Sequence, residues 1–314
     1  MIDITYTPEF FKEDGDFPLI SAEIICDSKN TVNNSRLTTF KITVPRIILA
    51  ELNTHKSLSK NCESSRAVPT KKLRSKVMKT PMMPVFWGKN KSGMSASESL
   101  KGFRLTACKA IWRLASYEQV FNHWILEKLG LHKQTANRLI EPWLTVTDVI
   151  TGTDKFWDNF FRLRLSPMAQ PEMQVLAFKM YLAYKNSTPK TLGIEEAHLP
   201  FVTDEEKEKF GLADQIKISV ARCCRTSYNN MMGSVSKPEE DIKLFYRAVS
   251  NGHFSPTEHQ GFVPSSNTIT KDEHYDLMRG FRGWYQLRAF IEPSDNMRLL
   301  KKHYGIDLNL ENNK

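Results

Sequence analysis

The sequence predicts an α+β fold, rich in helix with a modest antiparallel sheet. Three observations carry this: two early segments of strand character, later segments with apolar residues at helical spacing, and turn-forming residues between them. Residues 17–26 read as the first strand. Residues 37–44 read as the second, where Phe40, Ile42 and Val44 alternate with polar neighbours and mark one buried face. The polar, Asn-rich stretch 27–35 between them fits a hairpin connection. Pro45 ends the second strand, and a helix is expected over 46–52.

Further along, 81–97 holds Pro, Gly, Asn and Ser and reads as a loop. A long helix follows, with Leu100, Phe103, Ala107, Ile111 and Leu114 on one face and Gly130 as its stop. The next begins at Pro171 and gathers Met173, Leu176, Ala177, Met180 and Tyr184. Another runs from about Pro238, with Ile242, Phe245 and Val249 inward, to Asn251-Gly252. Leu277, Phe281, Trp284 and Arg288 again have helical spacing.

The 314 residues suffice for a substantial core, and 40% hydrophobic with 25% charged residues is the balance of a soluble globular protein. No apolar run reaches the roughly 18 residues a membrane span needs. The start, Met1-Ile2-Asp3-Ile4, lacks the pattern of a signal peptide, so a cytoplasmic protein without a membrane partner is expected. Five scattered cysteines without CxxC spacing argue against a disulfide framework and a structural zinc site. Cys223 and Cys224 read as reduced thiols in or near the core. A net charge of +9 favours anionic ligands, either a polynucleotide or a small phosphorylated molecule.

Three segments concentrate chemistry. Residues 53–66 (NTHKSLSKNCESSR) carry almost no hydrophobic side chain, so they read as a donor-rich loop outside the core, suited to phosphate oxygens. A solvated surface loop is the competing reading. In 158–164 (DNFFRLR), aromatic residues beside arginines could form a stacking platform, although Phe160 and Phe161 more often mean core. In 253–259 (HFSPTEH), two histidines and Glu258 could ligate a metal, but no third ligand stands at helical spacing, and no metal is expected.

Together these segments resemble the flavin-dependent thymidylate synthases. That family's signature reads Arg-His-Arg-x-x-Ser-x-Asn-Glu-x-Ser-x-Arg-Tyr. His55, Ser59, Asn61, Ser64 and Arg66 match it at identical spacing, Lys56 matches in part, and Thr54, Cys62 and Ala67 depart from it. Glu63 lies one position after the missing Glu. Asn137 to Pro142 look similar to the family's Ala-Arg-x-x-Leu-Pro-like stretch. Asn159-Phe160, Leu163-Arg164, Ala169-Gln170 and Glu172 stand in register with a further motif, with Met168 where a His is expected. The family's His-x-Thr/Ser-Pro-x-Glu-His signature is complete at 253–259, and Arg225-x-Ser227-Tyr228 resembles the turn that precedes it. In the family those last two elements come before the Arg-His-Arg motif; here they follow everything else, so a circularly permuted arrangement, as in a phage-type member, is expected.

The resemblance implies a flavin-dependent thymidylate synthase-like fold. It also implies transfer of a one-carbon unit from methylenetetrahydrofolate to C5 of dUMP, with FAD as cofactor and NADPH as reductant. It places Ser64, Arg66, Arg138 and Arg164 at the nucleotide, with Ser64 and Arg164 as catalytic residues. His55, Lys56, Asn61, Lys155, Asn159, Ser227, Ser255 and Glu258 are implied at the flavin, and no cysteine as nucleophile. A homotetramer with sites at subunit interfaces follows. The expected organisation is one catalytic domain over 1–314. It comprises the strand pair, helix and nucleotide/flavin loop (17–70), a helical region (98–187), permuted flavin-binding elements (213–262) and a C-terminal extension (263–314).

Two rivals are defined. A related hydroxymethylase acting on dUMP or dCMP is motivated by the departures at Thr54, Cys62 and Ala67. A non-catalytic nucleic-acid-binding protein is motivated by the charge and by 11% aromatic residues, but no recognition-helix, zinc-finger or RNP-like motif supports it.

Overall fold

The computed structural model describes residues 17–226, 236–265, 271–293 and 296–310. Strands β1 (Ser21–Asn30) and β2 (Arg36–Pro45) form the expected antiparallel hairpin. Phe40, Ile42 and Val44 are fully buried, as their alternation requires. The strand runs further than its polar sequence suggests. Asp27 is held by Arg36 at 2.8 and 2.6 Å, by Thr38 at 2.9 Å and by Ser187 at 2.6 Å, so β1 extends to Asn30 and the turn shrinks to 31–35.

A short 3-10 turn (Arg46–Ile48) leads into the single helical turn α1 (Leu49–Leu52), then β3 (Ser59–Cys62). Helices α2 (Thr70–Lys79) and α3 (Gly102–Lys128) flank an irregular 80–101. The short α4 (Lys133–Ala136) and the 3-10 segment Asn137–Trp143 follow, then β4 (Thr145–Thr153). Next come α5 (Asp154–Arg164), α6 (Pro171–Asn186) and the edge strand β5 (Lys190–Leu192). The first sheet has the order β3-β4-β2-β1-β5, antiparallel except where β5 runs parallel to β1. Strand β4 escaped the sequence reading. Its residues are buried on both faces, which removes the alternation that betrays a half-buried strand.

The rest of the chain builds a second layer. It contains β6 (Ala197–His198), α7 (Asp204–Lys209), α8 (Leu212–Thr226), α9 (Pro238–Ser250) and the 3-10 turn Ser255–Glu258. Strand β7 (Gly261–Phe262), α10 (Lys271–Met278), β8 (Tyr285–Gln286), α11 (Leu287–Ile291) and α12 (Met297–Tyr304) complete it. Strands β6, β7 and β8 pair in that order as a small antiparallel sheet.

One face of the large sheet packs Phe40, Ile42, Val146 and Ile150 against Trp157, Phe160, Met173 and Met180 of α5 and α6. The opposite face meets the second layer through a buried relay. His259 Nδ1 lies 2.8 Å from Thr151 Oγ1, Thr151 is 2.8 Å from Thr39 Oγ1, and Thr39 is 2.8 Å from His198 Nε2. Burial pushes both imidazoles down to about 3, so they sit neutral and can donate and accept in turn. The approach of the layers is close at Gly261, where a Cβ would come within 2.5 Å of Leu37 Cδ2.

Two helical expectations are corrected. The face of α3 bearing Phe103, Ile111 and Leu114 points to solvent, with those residues 85%, 66% and 67% exposed; the helix instead buries Ser116, Val120 and His123. The spacing from Leu277 to Arg288 is not one helix. The chain turns at Gly283, whose φ of +90° interrupts α-geometry, and Phe281 and Trp284 are buried from a turn. Among the described residues no helix is long and apolar enough to cross a membrane.

Candidate active site

The polar segment 53–66 is not the solvated loop its composition suggests. Its middle is the edge strand β3, which zips onto β4 from Ser59↔Thr151 to Cys62↔Asp148. Alternation then splits its side chains between two environments. Ser59 and Asn61 are buried toward the second layer, while Lys60 and Cys62 share the face that carries Ile150 and Asp148. Ser65, Glu63 and His55 are buried as well. Polar residues occupy the interior here because nearly every one has a specific partner, which composition cannot reveal.

At the start of β3, His55 packs edge-on to Phe160, with ring centroids 5.0 Å apart, and accepts a 2.8 Å hydrogen bond at Nε2 from Arg164 Nε. Burial, then the charges of Arg164 and Lys60, push this imidazole down to about 4, so it is neutral and free to accept. Arg164 also pairs with Glu51 and donates to Thr54 Oγ1 at 3.4 Å. Lys60 Nζ donates to the carbonyl of His55 at 2.9 Å and bridges the loop back to its strand. Lys56 projects to solvent.

Beyond the other end of β3, Ser64 is half-buried and Arg66 exposed. Their loop is clamped to the 3-10 segment that follows α4. Asn137 Nδ2 donates to the carbonyls of Ser65 and Val68 at 2.7 and 3.0 Å. A single Glu141 oxygen collects Ser65 Oγ at 2.6 Å, Arg138 Nη1 at 2.7 Å and Arg46 Nε at 3.0 Å. Ser65 and Arg138 thus share Glu141, which ties the loop carrying Ser64 and Arg66 to the segment carrying Arg138.

In the middle of β3, Asn61 joins the layers. Its amide donates to the carbonyl of Cys223, and Ser255 Oγ lies 3.5 Å from its Oδ1. Glu258 pairs with Arg288, and its carbonyl accepts from Gln286 Nε2 at 3.0 Å. Arg225 is tied to the buried Asp241 at 2.7 Å. Ser227 and Tyr228 lie outside the described residues.

One copy of the chain therefore brings His55 to Arg164, Ser64 to Arg66 and Arg138, and Asn61 to Ser255. The first two groups are separated by the length of β3, roughly 10–13 Å. Lys155 and Asn159 are not gathered with them. They lie on the exposed side of α5, and Asn159 stands about 140° round the helix from Arg164; its Oδ1 accepts from Arg162 at 2.8 Å. Glu51, Glu141 and Arg288 were missed by the sequence reading. Each is the counter-ion of a predicted residue; Glu51 and Arg288 lie too far along the chain from Arg164 and Glu258 for spacing to link them, whereas Glu141 stands three residues from Arg138.

Asp148 was missed too. It has no exposed surface, and neither carboxyl oxygen meets a donor at bonding geometry among the described residues. Burial pushes its carboxyl up to about 7 against the pull of Lys60 and the nearby backbone N–H groups of Asn61 and Val149. The thiols are held neutral: burial raises Cys26 to about 11 and lifts Cys62, Cys223 and Cys224 above the ordinary thiol range. Among the described residues no three His, Cys, Asp or Glu side chains converge as a metal site.

The sequence model of Thy1, thymidylate synthase complementing protein, matches residues 23–190. The chain belongs to this family. The match covers both strands of the hairpin, β3 and the α5–α6 unit; the 253–259 motif stands outside it. No curated protein matches the chain. Solved structures that match part of the chain include flavin-dependent thymidylate synthase ThyX from Helicobacter pylori complexed with FAD and dUMP. It shows 18% identity and a TM-score of 0.35, over 47% of this chain and 67% of that one. Another is the UMP/dUMP methylase PolB from Streptomyces cacaoi bound with 5-Br dUMP, with 15% identity and a TM-score of 0.42 over 52% and 89%. Membership of the Thy1 family rests on the sequence match, not on these superpositions.

Proposed function

We propose that this Thy1 family member is a flavin-dependent thymidylate synthase of the cytoplasm, transferring a one-carbon unit from methylenetetrahydrofolate to C5 of dUMP. The observation that carries the reading is the meeting of Asn61 and Ser255. These residues belong to two separate motifs of the resemblance, lie 194 positions apart, and come together across the interface of the two layers. The same contact supports the permuted motif order, because the C-terminal element lies against β3 although it is last in the chain.

The donor set fits a phosphorylated dinucleotide and a nucleotide. Lys56, Arg66, Arg138 and Lys155 are exposed cations, Ser64 offers a hydroxyl, and the buried Asn61 amide meets the exposed Ser255 hydroxyl. Bound FAD would supply the redox chemistry, with NADPH as the source of electrons. The residues of this chain bind and orient. Ser64, Arg66 and Arg138 hold the nucleotide phosphate, and Arg164, steadied by His55, Glu51 and Thr54, stabilises charge on the pyrimidine. His55, Lys56, Asn61, Lys155, Asn159, Ser227, Ser255 and Glu258 form the flavin side. Because one copy does not gather them, the complete site is shared between subunits of a homotetramer.

Mass spectrometry of the nucleotide after incubation with FAD, NADPH, methylenetetrahydrofolate and either dUMP or dCMP tests this. A methyl gain on dUMP is expected. A hydroxymethyl gain, or conversion of dCMP, would replace thymidylate synthesis with the modifying reaction to which Thr54, Cys62 and Ala67 point. No product and no bound flavin would overturn the enzyme reading. No thiol serves as nucleophile, so Cys62→Ser is expected to keep kcat within about threefold; complete loss with flavin still bound would contradict that.

A further inference from the structure

Helix α3 is 27 residues long and, at about 1.5 Å per residue, spans roughly 40 Å. Its inward side carries Trp112, Ser116, Val120, His123 and Glu127, which meet α2 and the segments beside it. Round the helix from that side runs a second stripe: Phe103, Ala107, Ala110, Leu114, Tyr117, Phe121 and Trp124. The steps alternate between four and three residues without a break, the heptad spacing of a helix that packs along another helix. Nothing in the described chain covers it. Phe103, Leu114 and Phe121 are 85%, 67% and 58% exposed, in a protein whose other aromatic residues are largely interior.

Beyond the proposed reaction, we infer that this stripe is the seam of an antiparallel pairing of α3 with α3 of a second copy of the chain. The partner must be a helix, because of the heptad spacing. Among the described residues every other helix is much shorter, so the chain itself offers no mate. Two features choose the second copy and the antiparallel sense. First, the side chains are complementary in size to their own reversed order. Ala107 falls opposite Tyr117 of the second copy, Ala110 opposite Leu114, and Phe103 opposite Phe121, so small meets large in the middle of the seam. A parallel, in-register pair would set Ala107 and Ala110 on their own copies and crowd Tyr117, Phe121 and Trp124 together. Second, the charges beside the seam agree with that register: Arg104 comes alongside Glu118 of the second copy, and the twofold axis makes the contact twice. Arg113 meets its own counterpart near the axis, a like-charge contact that added salt screens together with the two Arg104–Glu118 pairs.

Light scattering on the full chain at micromolar concentration is expected to show a dimer or a multiple of it. Leu114→Glu together with Phe121→Glu should weaken association by at least about 100-fold, with an unchanged far-ultraviolet circular-dichroism spectrum because both residues are on the surface of the single copy. The register is read by cross-linking in a Cys108→Ala background. Ala110→Cys protein mixed with Leu114→Cys protein should form the mixed disulfide, whereas neither alone should. A monomeric wild-type chain, association unaffected by the charge substitutions, or disulfides between Leu114→Cys copies would overturn the pairing. A monomeric wild-type chain would also count against the shared site of the proposed function; the other two outcomes leave flavin binding and product formation, which are read separately, untouched.

Discussion

Arg164→Ala is expected to lower kcat/KM for dUMP by about 10²- to 10³-fold, the usual loss when one preorganised charge is taken from a reacting centre. The residue stands in the last turn of α5 and is held from three sides, by His55, Glu51 and Thr54. That clamp fixes the guanidinium before any substrate arrives, so a ligand pays little of the ordering cost. A lysine cannot reproduce three directed contacts, so Arg164→Lys should recover only a small part of the loss. A second readout separates this from simple misfolding. The charge of Arg164 helps hold His55 at about 4, so its removal should move the imidazole upward in an NMR titration. Retained activity together with the His55 shift would leave Arg164 a structural clamp and no more.

The sequence made the hairpin, α3, α6 and α9 legible because each has a clean period and a marked end, such as Gly130 (φ +87°) and Gly252 (φ +71°). It concealed β4, which has no polar face, and it could not say which side of α3 the core would take. For the site, the resemblance set Arg164 at the nucleotide and His55 at the flavin, and the fold puts these two in contact across 109 residues; Asn61 and Ser255, both set at the flavin, meet across 194. It erred over burial. A string such as 53–66 looks solvated when each polar group is counted alone. It enters the interior once Glu141, Asn137, Cys223 and Thr147 supply partners, and those contacts are non-local. Lys155 and Asn159 show the converse limit: a motif register fixes position along a helix, but not whether one copy of the chain gathers that position with the rest.

Asp148→Asn is expected to stabilise the protein at pH 8 and to have little effect near pH 4. The carboxyl lies across from Cys62 and Ile42 in the sheet, with Val146 and Ile150 on either side along its own strand. The local charge is Lys60, whose own ammonium is pushed down by burial and turned toward the carbonyls of His55 and Asn53. Glu258 acts on Lys60 from the second layer but is itself paired with Arg288. Ionising Asp148 is therefore costly, and its value rises from 3.8 to about 7. The sign follows from proton binding. Between pH 4 and pH 7 the unfolded chain has released this proton while the folded chain keeps it, so stability falls as pH rises through that window and then levels off. The full difference is on the order of 4 kcal/mol, from about 1.4 kcal/mol per pKa unit. Asparagine keeps the shape and removes the ionisation, so its melting temperature should exceed the wild type by several degrees at pH 8, and the gap should close toward pH 4. A gap that stays constant across this range would mean that the carboxylate is ionised in the folded state throughout, with Lys60 as its true counter-ion. In that case Lys60→Met should be strongly destabilising at pH 8, because it would strand the buried charge.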